Sequence, residues 1–245
     1  MKSELNLELV LELPVHRLYF LSEDLLEGYY GSVRSDGGSY VYATGRSPIC
    51  LVAHLDTCRN EEEPFELIKY KEFLYNKHGI LGADDRAGVY MIFEILRECL
   101  YHNIPLPSVL LTNYEEVGMF GASEFVSHEH FVSSGEICYT KLFIGLDRCG
   151  SYKYVTYEQQ LPQYITDYVN QFGFQFSTSR KQSDVKILSD AYGVPTVNLS
   201  IGYTAEHTRN ERLNMMVYQD TRHRVLGMVA NPPVAPPNVK MRRKV

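Results

Sequence analysis

The chain has 245 residues, which suits one α/β domain with at most a small appendage. Hydrophobic residues make up 44% of it, enough for a sizeable core. The net charge of −6 argues against a nucleic-acid binder, which normally shows a basic face, and the lack of any long uninterrupted apolar stretch argues against a membrane span.

In chain order, the opening MKSELNLELVLELP alternates acidic and apolar residues without a basic n-region, so it does not read as a secretory signal. Residues 5–28 carry Leu, Val and Phe at helical spacing and predict one helix. A loop over 28–38 precedes strands at 40–43 and 48–56, the second (ICLVAHLD) being of the fully buried kind. Residues 65–76 alternate and predict a strand or hairpin at a sheet edge. GILGADD, 79–85, reads as a further apolar segment ending in carboxylates. An amphipathic helix follows at 87–101, stopped by Pro105 and Pro107. Beyond it, strands are predicted at 108–112, 141–146, 152–157 and 195–200. The helices predicted between and after them span 122–131, 161–172, 184–192 and 211–229. Strands alternating with helices, several of them continuously apolar, predict a three-layer α/β/α sandwich around a mostly parallel, mixed central sheet. Residues 1–230 read as one domain. NPPVAPPNVKMRRKV, 231–245, reads as an extended, disordered basic tail.

The five cysteines, Cys50, Cys58, Cys99, Cys138 and Cys149, are odd in number and include no CxxC pair. No disulfide framework is expected, most should be small core residues, and the reducing cytoplasm is the natural location.

The polar residues fall in a pattern. ICLVAHLD ends in His54 and Asp56, GILGADD in Asp84 and Asp85, SVLLTNYEE in Glu115 and Glu116, KLFIGLD in Asp147, and PTVNLSIGYTAEH in His207. In a parallel sheet, ligands bind beyond the carboxyl ends of the strands, so these five ends should converge. Each residue alone has an ordinary explanation: a helix cap at Asp84 or Asp85, a solvated turn at Glu115–Glu116, a turn at Asp147, a structural histidine. Five such coincidences at five matching ends are less economical than one shared site. Two imidazoles and three carboxylates suit zinc, or manganese and cobalt, better than calcium. They are too many for one catalytic zinc, but suit two ions about 3.5–4 Å apart with one carboxylate, Asp84, between them. Asp56, two residues from His54, can fix the tautomer of its ring. One of Glu115 and Glu116 can reach a metal if the chain bends there, leaving the other placed as a general base.

HLD, GADDRAG, a strand ending in EEVG, GLD and EHTRNE together resemble the co-catalytic zinc exopeptidases, the superfamily of bacterial leucyl aminopeptidase, peptidase T and the glutamate carboxypeptidases. The resemblance runs from His54 to Glu211, with the motifs in family order. It implies two divalent ions bridged by Asp84, with His54 and Asp147 on one and Glu116 and His207 on the other. It further implies Glu115 as the general base, Asp56 as the residue that orients His54, and a cis Asp84–Asp85 peptide. Many lid-bearing members insert a domain between the third carboxylate and the last histidine. Here only 207 − 147 − 1 = 59 residues lie between them. That leaves no room for a lid of about 100 residues, a typical domain size. The chain therefore resembles the lidless, aminopeptidase-type core.

The reaction this predicts is removal of the N-terminal residue of short peptides. Carboxypeptidase or N-acyl amino acid hydrolysis at the same site, and a metal-binding scaffold without activity, are the alternatives. No nucleic-acid or membrane partner is expected, and assembly into a homo-oligomer is open. Among substrate-binding candidates, Tyr203 could stabilise an oxyanion, Asp184 could bind an ammonium group or simply cap its helix, and Arg148 or Arg209 could hold a carboxylate. Cys58 and Cys149 each follow a site aspartate by two residues and read most simply as small buried side chains. His128-Glu129-His130 reads as a solvated helix end.

Overall fold

The computed structural model describes residues 5–129, 139–178 and 182–236. The expected first helix is two: α1 (Leu7–Glu12) and α2 (Val15–Tyr30). Pro14 causes the break. It has no N–H to donate, it holds Leu13 extended at ψ 140°, and it sits as the cap of α2. Strand β1 (Arg34–Ser35), within the expected loop, pairs with β2 (Tyr40–Ala43), and β3 (Ile49–His54) follows. The 65–76 segment forms the hairpin β4 (Leu67–Tyr70) and β5 (Phe73–Asn76). Residues 79–82 form no strand. Gly82, at φ +76°, hands the chain directly to α3 (Ala83–Tyr101), whose first turn is kinked at Asp84 and Asp85.

The second half carries β6 (Ser108–Thr112), α4 (Phe120–Glu129), β7 (Leu142–Arg148), β8 (Ser151–Val155) and α5 (Gln163–Gln171). It continues through β9 (Gln175–Phe176), α6 (Asp184–Tyr192), β10 (Thr196–Ile201), β11 (Tyr203–Thr204), β12 (Arg212–Asn214) and α7 (Met215–Ala230). The predicted last helix thus starts four residues late, because Arg212–Asn214 pairs with β5 and Asn214 then caps α7 through its side chain. The interval from Asp147 to His207 is filled by β8, α5, β9, α6, β10 and β11. Of the predicted basic tail, residues 237–245 lie outside the described residues, as does the end of the predicted 122–131 helix.

The main sheet runs β1-β2-β6-β3-β7-β10-β8-β9. Its centre, β6-β3-β7-β10, is parallel, with antiparallel β2 and β8 on either side, so the sheet is mixed as predicted. Alternation along the strands splits the core in two. Val41, Leu51, Ala53, Val109, Leu111 and Ile144 face one side, where α1, α2, α3, α5 and α7 contribute apolar residues. Tyr42, Cys50, Val52, Leu110 and Phe143 face the other, with Phe125 of α4 and Val185 and Leu188 of α6. This is the three-layer α/β/α arrangement. The β4–β5 hairpin does not join the main sheet; it forms a second, antiparallel sheet, β11-β12-β5-β4, beside it. Among the described residues, no helix is long and apolar enough to cross a membrane.

Candidate active site

The four central strands deliver four of the five expected groups to one edge, because parallel strands in register end together: His54 of β3 lies opposite Thr112 of β6, and Val52 opposite Gly145 of β7. The chain bends after β6, with Tyr114 at φ +63°, and Glu115 and Glu116 enter a turn. That bend lets two neighbours face one site. The fifth group, Asp84, comes from the kinked start of α3 rather than from a strand.

Asp84 lies at the centre. Its Oδ1 is 3.3 Å from His54 Nε2 and its Oδ2 is 3.1 Å from His207 Nε2. Asp147 Oδ1 stands 3.6 Å from His54 Nε2, Glu116 Oε1 3.0 Å from His207 Nε2, and Glu115 Oε2 3.9 Å from His54 Nε2. The Asp84–Asp85 peptide is cis. The two aspartates have separate tasks. Asp84 points into the site, while the fully buried Asp85 accepts from the backbone N–H of His54 at 3.2 Å.

Asp56 lies just past the end of β3 and has a wider role than expected. His54 Nδ1 faces its carbonyl at 3.0 Å and its carboxylate at 3.3 Å, which leaves Nε2 for the site. The same carboxylate accepts from the backbone N–H groups of both Glu115 and Glu116, each at 3.1 Å. One aspartate thus sets the ring of His54 and the turn of the glutamate pair.

Several positioning residues were not assigned roles from sequence, although their motifs were visible. Glu211, the last residue of EHTRNE, accepts from Gly82 N–H at 2.8 Å and Asp84 N–H at 3.0 Å, and so holds the loop that carries Asp84. Arg86 of GADDRAG is fully buried and donates to the carbonyls of Leu11, Leu13 and Leu55 and to Glu61. Asn198 of β10 donates to the carbonyl of Asp147 at 2.8 Å and accepts from its N–H at 3.0 Å, while Ser183 donates to its carboxylate at 2.7 Å.

A small cavity of about 80 Å³ opens onto the cluster, walled by Asp84, Glu115, Asp147, Arg148, Tyr203, Glu206 and His207, among others. Tyr203 lines it, and its hydroxyl donates to Asp147 at 3.2 Å. Arg148 lines it too, with a buried Nε that makes no hydrogen bond. Asp184 is not on the wall. It is buried beneath, accepting from Thr112 Oγ1, and burial pushes it up to about 7. Arg209 is exposed and 3.7 Å from Glu63. His128 sits beside Tyr40, and His130 lies outside the described residues. Cys50 and Cys99 are buried as expected, but Cys58 is exposed and Cys149 is half-buried on the cavity wall; Cys138 lies outside the described residues.

The electrostatics fit cations. Burial pulls His54 down, but Asp147, Asp56 and Asp84 overcome it and hold the ring well above the usual imidazole range. Burial pushes Glu115 up to about 8 and raises Glu116 and Asp85. Carboxylates driven towards neutrality beside an imidazole driven towards charge describe a cluster with too few positive charges. Glu116 Oε1 is buried without a hydrogen bond although it lies 3.0 Å from a ring nitrogen. Ligand atoms of His54, Asp84 and Glu116 lie within 4.8 Å of one another. Imidazole and carboxylate donors at such spacing are what borderline divalent ions bind.

The profile of peptidase family M28 matches residues 38–230, spanning all these groups. The chain belongs to peptidase family M28. Membership makes it a metal-dependent exopeptidase. No curated protein sequence matches it. Solved structures with the same fold include a tripeptidase from Staphylococcus aureus, 16% identical, with 91% of this chain and 95% of that one aligned at a TM-score of 0.70. Aminopeptidase PepT from Bacillus cereus is 14% identical, with coverage of 92% and 98% and a TM-score of 0.65. A TET aminopeptidase from a marine-sediment thaumarchaeon is also 14% identical, with coverage of 93% and 95% and a TM-score of 0.65. At such identities the likeness concerns the fold.

Proposed function

We propose that this M28 chain is a cytoplasmic aminopeptidase that removes the N-terminal residue of short peptides. In this reading Asp84 would be shared by two divalent ions, His54 and Asp147 would hold one, and Glu116 and His207 would hold the other. The observation that carries it is the division of Asp84: one oxygen faces each histidine, with a second carboxylate beside each ring. When bound, a pair of such ions supplies Lewis acidity, lowering the pKa of water and polarising a carbonyl oxygen.

The chain's own residues do the rest. Glu115 lies on the cavity wall with its Oε2 3.9 Å from His54 Nε2, the position of a general base beside the proposed ions. It takes a proton from the attacking water and returns it to the leaving amine. Asp56 keeps His54 in one tautomer and holds the Glu115 N–H, so ring and base share one anchor. Tyr203, Asn198 and Ser183 fix Asp147. Arg148 lines the same wall, and its guanidinium would donate to the carboxylate of a short peptide. That guanidinium is also the one feature favouring the second reading, in which a substrate carboxylate lies at the scissile end.

A digest of peptides with free and with acetylated N-termini, read by mass spectrometry, separates the readings. N-terminal ladders from free peptides alone are expected, and Glu115→Gln should lower their rate by about 10²–10⁴-fold. Loss of C-terminal residues or of acetyl groups would replace the aminopeptidase reading with the second one. Near-normal turnover by Glu115→Gln would remove Glu115 as the base.

A further inference from the structure

The segment just past β3 brings one more donor to the site. Cys58 is exposed, unlike the buried Cys50 and Cys99. Its Sγ, a carboxylate oxygen of Glu116 and a ring nitrogen of His207 all lie within 4.8 Å of one another. The Glu116 side chain is only 9% exposed, and its Oε1 is buried there with no hydrogen bond. A buried carboxylate whose Oε1 makes no hydrogen bond and lies 3.0 Å from an imidazole nitrogen, with a thiol beside the pair, marks a place for a cation.

The thiol is also held where it is. Two residues earlier, Asp56 clamps the backbone of Glu115 and Glu116, so the Cys58 segment and the Glu116 turn are tied at 3.1 Å on two hydrogen bonds. One residue later, Arg59 is buried and donates to the carbonyl of Glu12 at 2.8 Å. Thr57 packs against Gly82, in the loop that leads to Asp84. Cys58 is therefore flanked by anchors on both sides.

We propose that Cys58 is a protein ligand of the ion held by Glu116 and His207, which gives that position a sulfur donor and a preference for zinc. The inference rests on the two-ion reading above. On coordination the thiol releases its proton to solvent and no electron is transferred. Thiolate donors favour zinc, whereas all-carboxylate and imidazole sets also accept manganese. The two positions then differ in kind: sulfur, nitrogen and oxygen donors at the Cys58 position, nitrogen and oxygen donors alone at the His54–Asp147 position. Removal of an outer-shell partner alone typically costs about 10–100-fold in metal affinity. Loss of a direct ligand in Cys58→Ser should weaken one of the two ions by at least that factor and leave the other unchanged.

Cobalt titration of the metal-free full chain, followed by absorption spectroscopy, tests this. Visible d–d bands report cobalt in the site, and a near-ultraviolet sulfur-to-cobalt charge-transfer band reports a thiolate ligand. The expected result is both bands in the natural protein and in Cys149→Ser, the second cysteine near the site, with the charge-transfer band lost in Cys58→Ser while the d–d bands remain. Visible bands without a charge-transfer band in the natural protein would overturn the role of Cys58 and leave the two-ion reading intact. A band that survives in Cys58→Ser and vanishes in Cys149→Ser would do the same. Failure to bind cobalt, measured by equilibrium dialysis on folded protein, would overturn the two-ion reading and the Cys58 assignment together.

Discussion

At the scale of single residues, the adjacent aspartates of GADDRAG are not redundant. Asp84 supplies two oxygens to two histidines, and Asp85 turns away to hold the His54 backbone. Space around Asp85 is the constraint on Gly88, one turn further along α3. A Cβ at residue 88 would overlap Asp85 Oδ1 and the carbonyl of Leu146. Neither neighbour can retreat cheaply, one being backbone of β7 and the other a buried carboxylate under the site. Gly88→Ala, ordinarily a helix-stabilising change, is therefore expected to destabilise the fold by about 1–3 kcal/mol through overpacking. Urea unfolding would measure it; an unchanged or raised midpoint would show that the helix and β7 can move apart.

At the scale of elements, Arg86 ties three parts together. From α3 it reaches the carbonyls of Leu11 and Leu13, at the end of α1, and of Leu55, beside His54, and it pairs with Glu61 at 2.9 Å. Burial lowers its pKa to about 10, which leaves it charged at neutral pH. Arg86→Met keeps much of the apolar stem but orphans these acceptors, at about 1–3 kcal/mol for each that water cannot reach. The expected outcome is faster amide hydrogen exchange in α1 and in 53–57 than elsewhere in the sheet; uniform protection would refute the tie. Sequence alone exposed the motif but not this contact, because nothing in GADDRAG states what lies 75 residues upstream. The same limit explains the misread elements. GILG looks like a strand because an apolar run reports burial, not pairing: Leu81 is fully buried without a sheet partner, and Gly82 turns the chain into α3. The helical spacing of apolar residues through 5–28 hid the break at Pro14, and Arg212–Asn214 is too short a strand to show a period of two.

At the scale of the whole molecule, most of the architecture was legible because buried parallel strands are largely apolar runs, and each of the four central ones leads into polar residues at its carboxyl end or just beyond it. Their shared direction, not any local preference, gathers His54, Glu115, Glu116, Asp147 and His207 at one edge, and β11, the edge strand of the second sheet, leads the chain to His207. The substrate-facing wall was less legible, since Arg148, Tyr203 and Glu206 come from separate loops and strand ends that no spacing rule relates. The central claim, that this edge is built for two ions sharing Asp84, is tested most directly by counting them. Zinc bound per chain after equilibrium dialysis should be two for the natural protein, one each for His54→Ala and His207→Ala, and none at the same free zinc for Asp84→Ala. One ion in the natural protein, or two retained by folded Asp84→Ala, would contradict it.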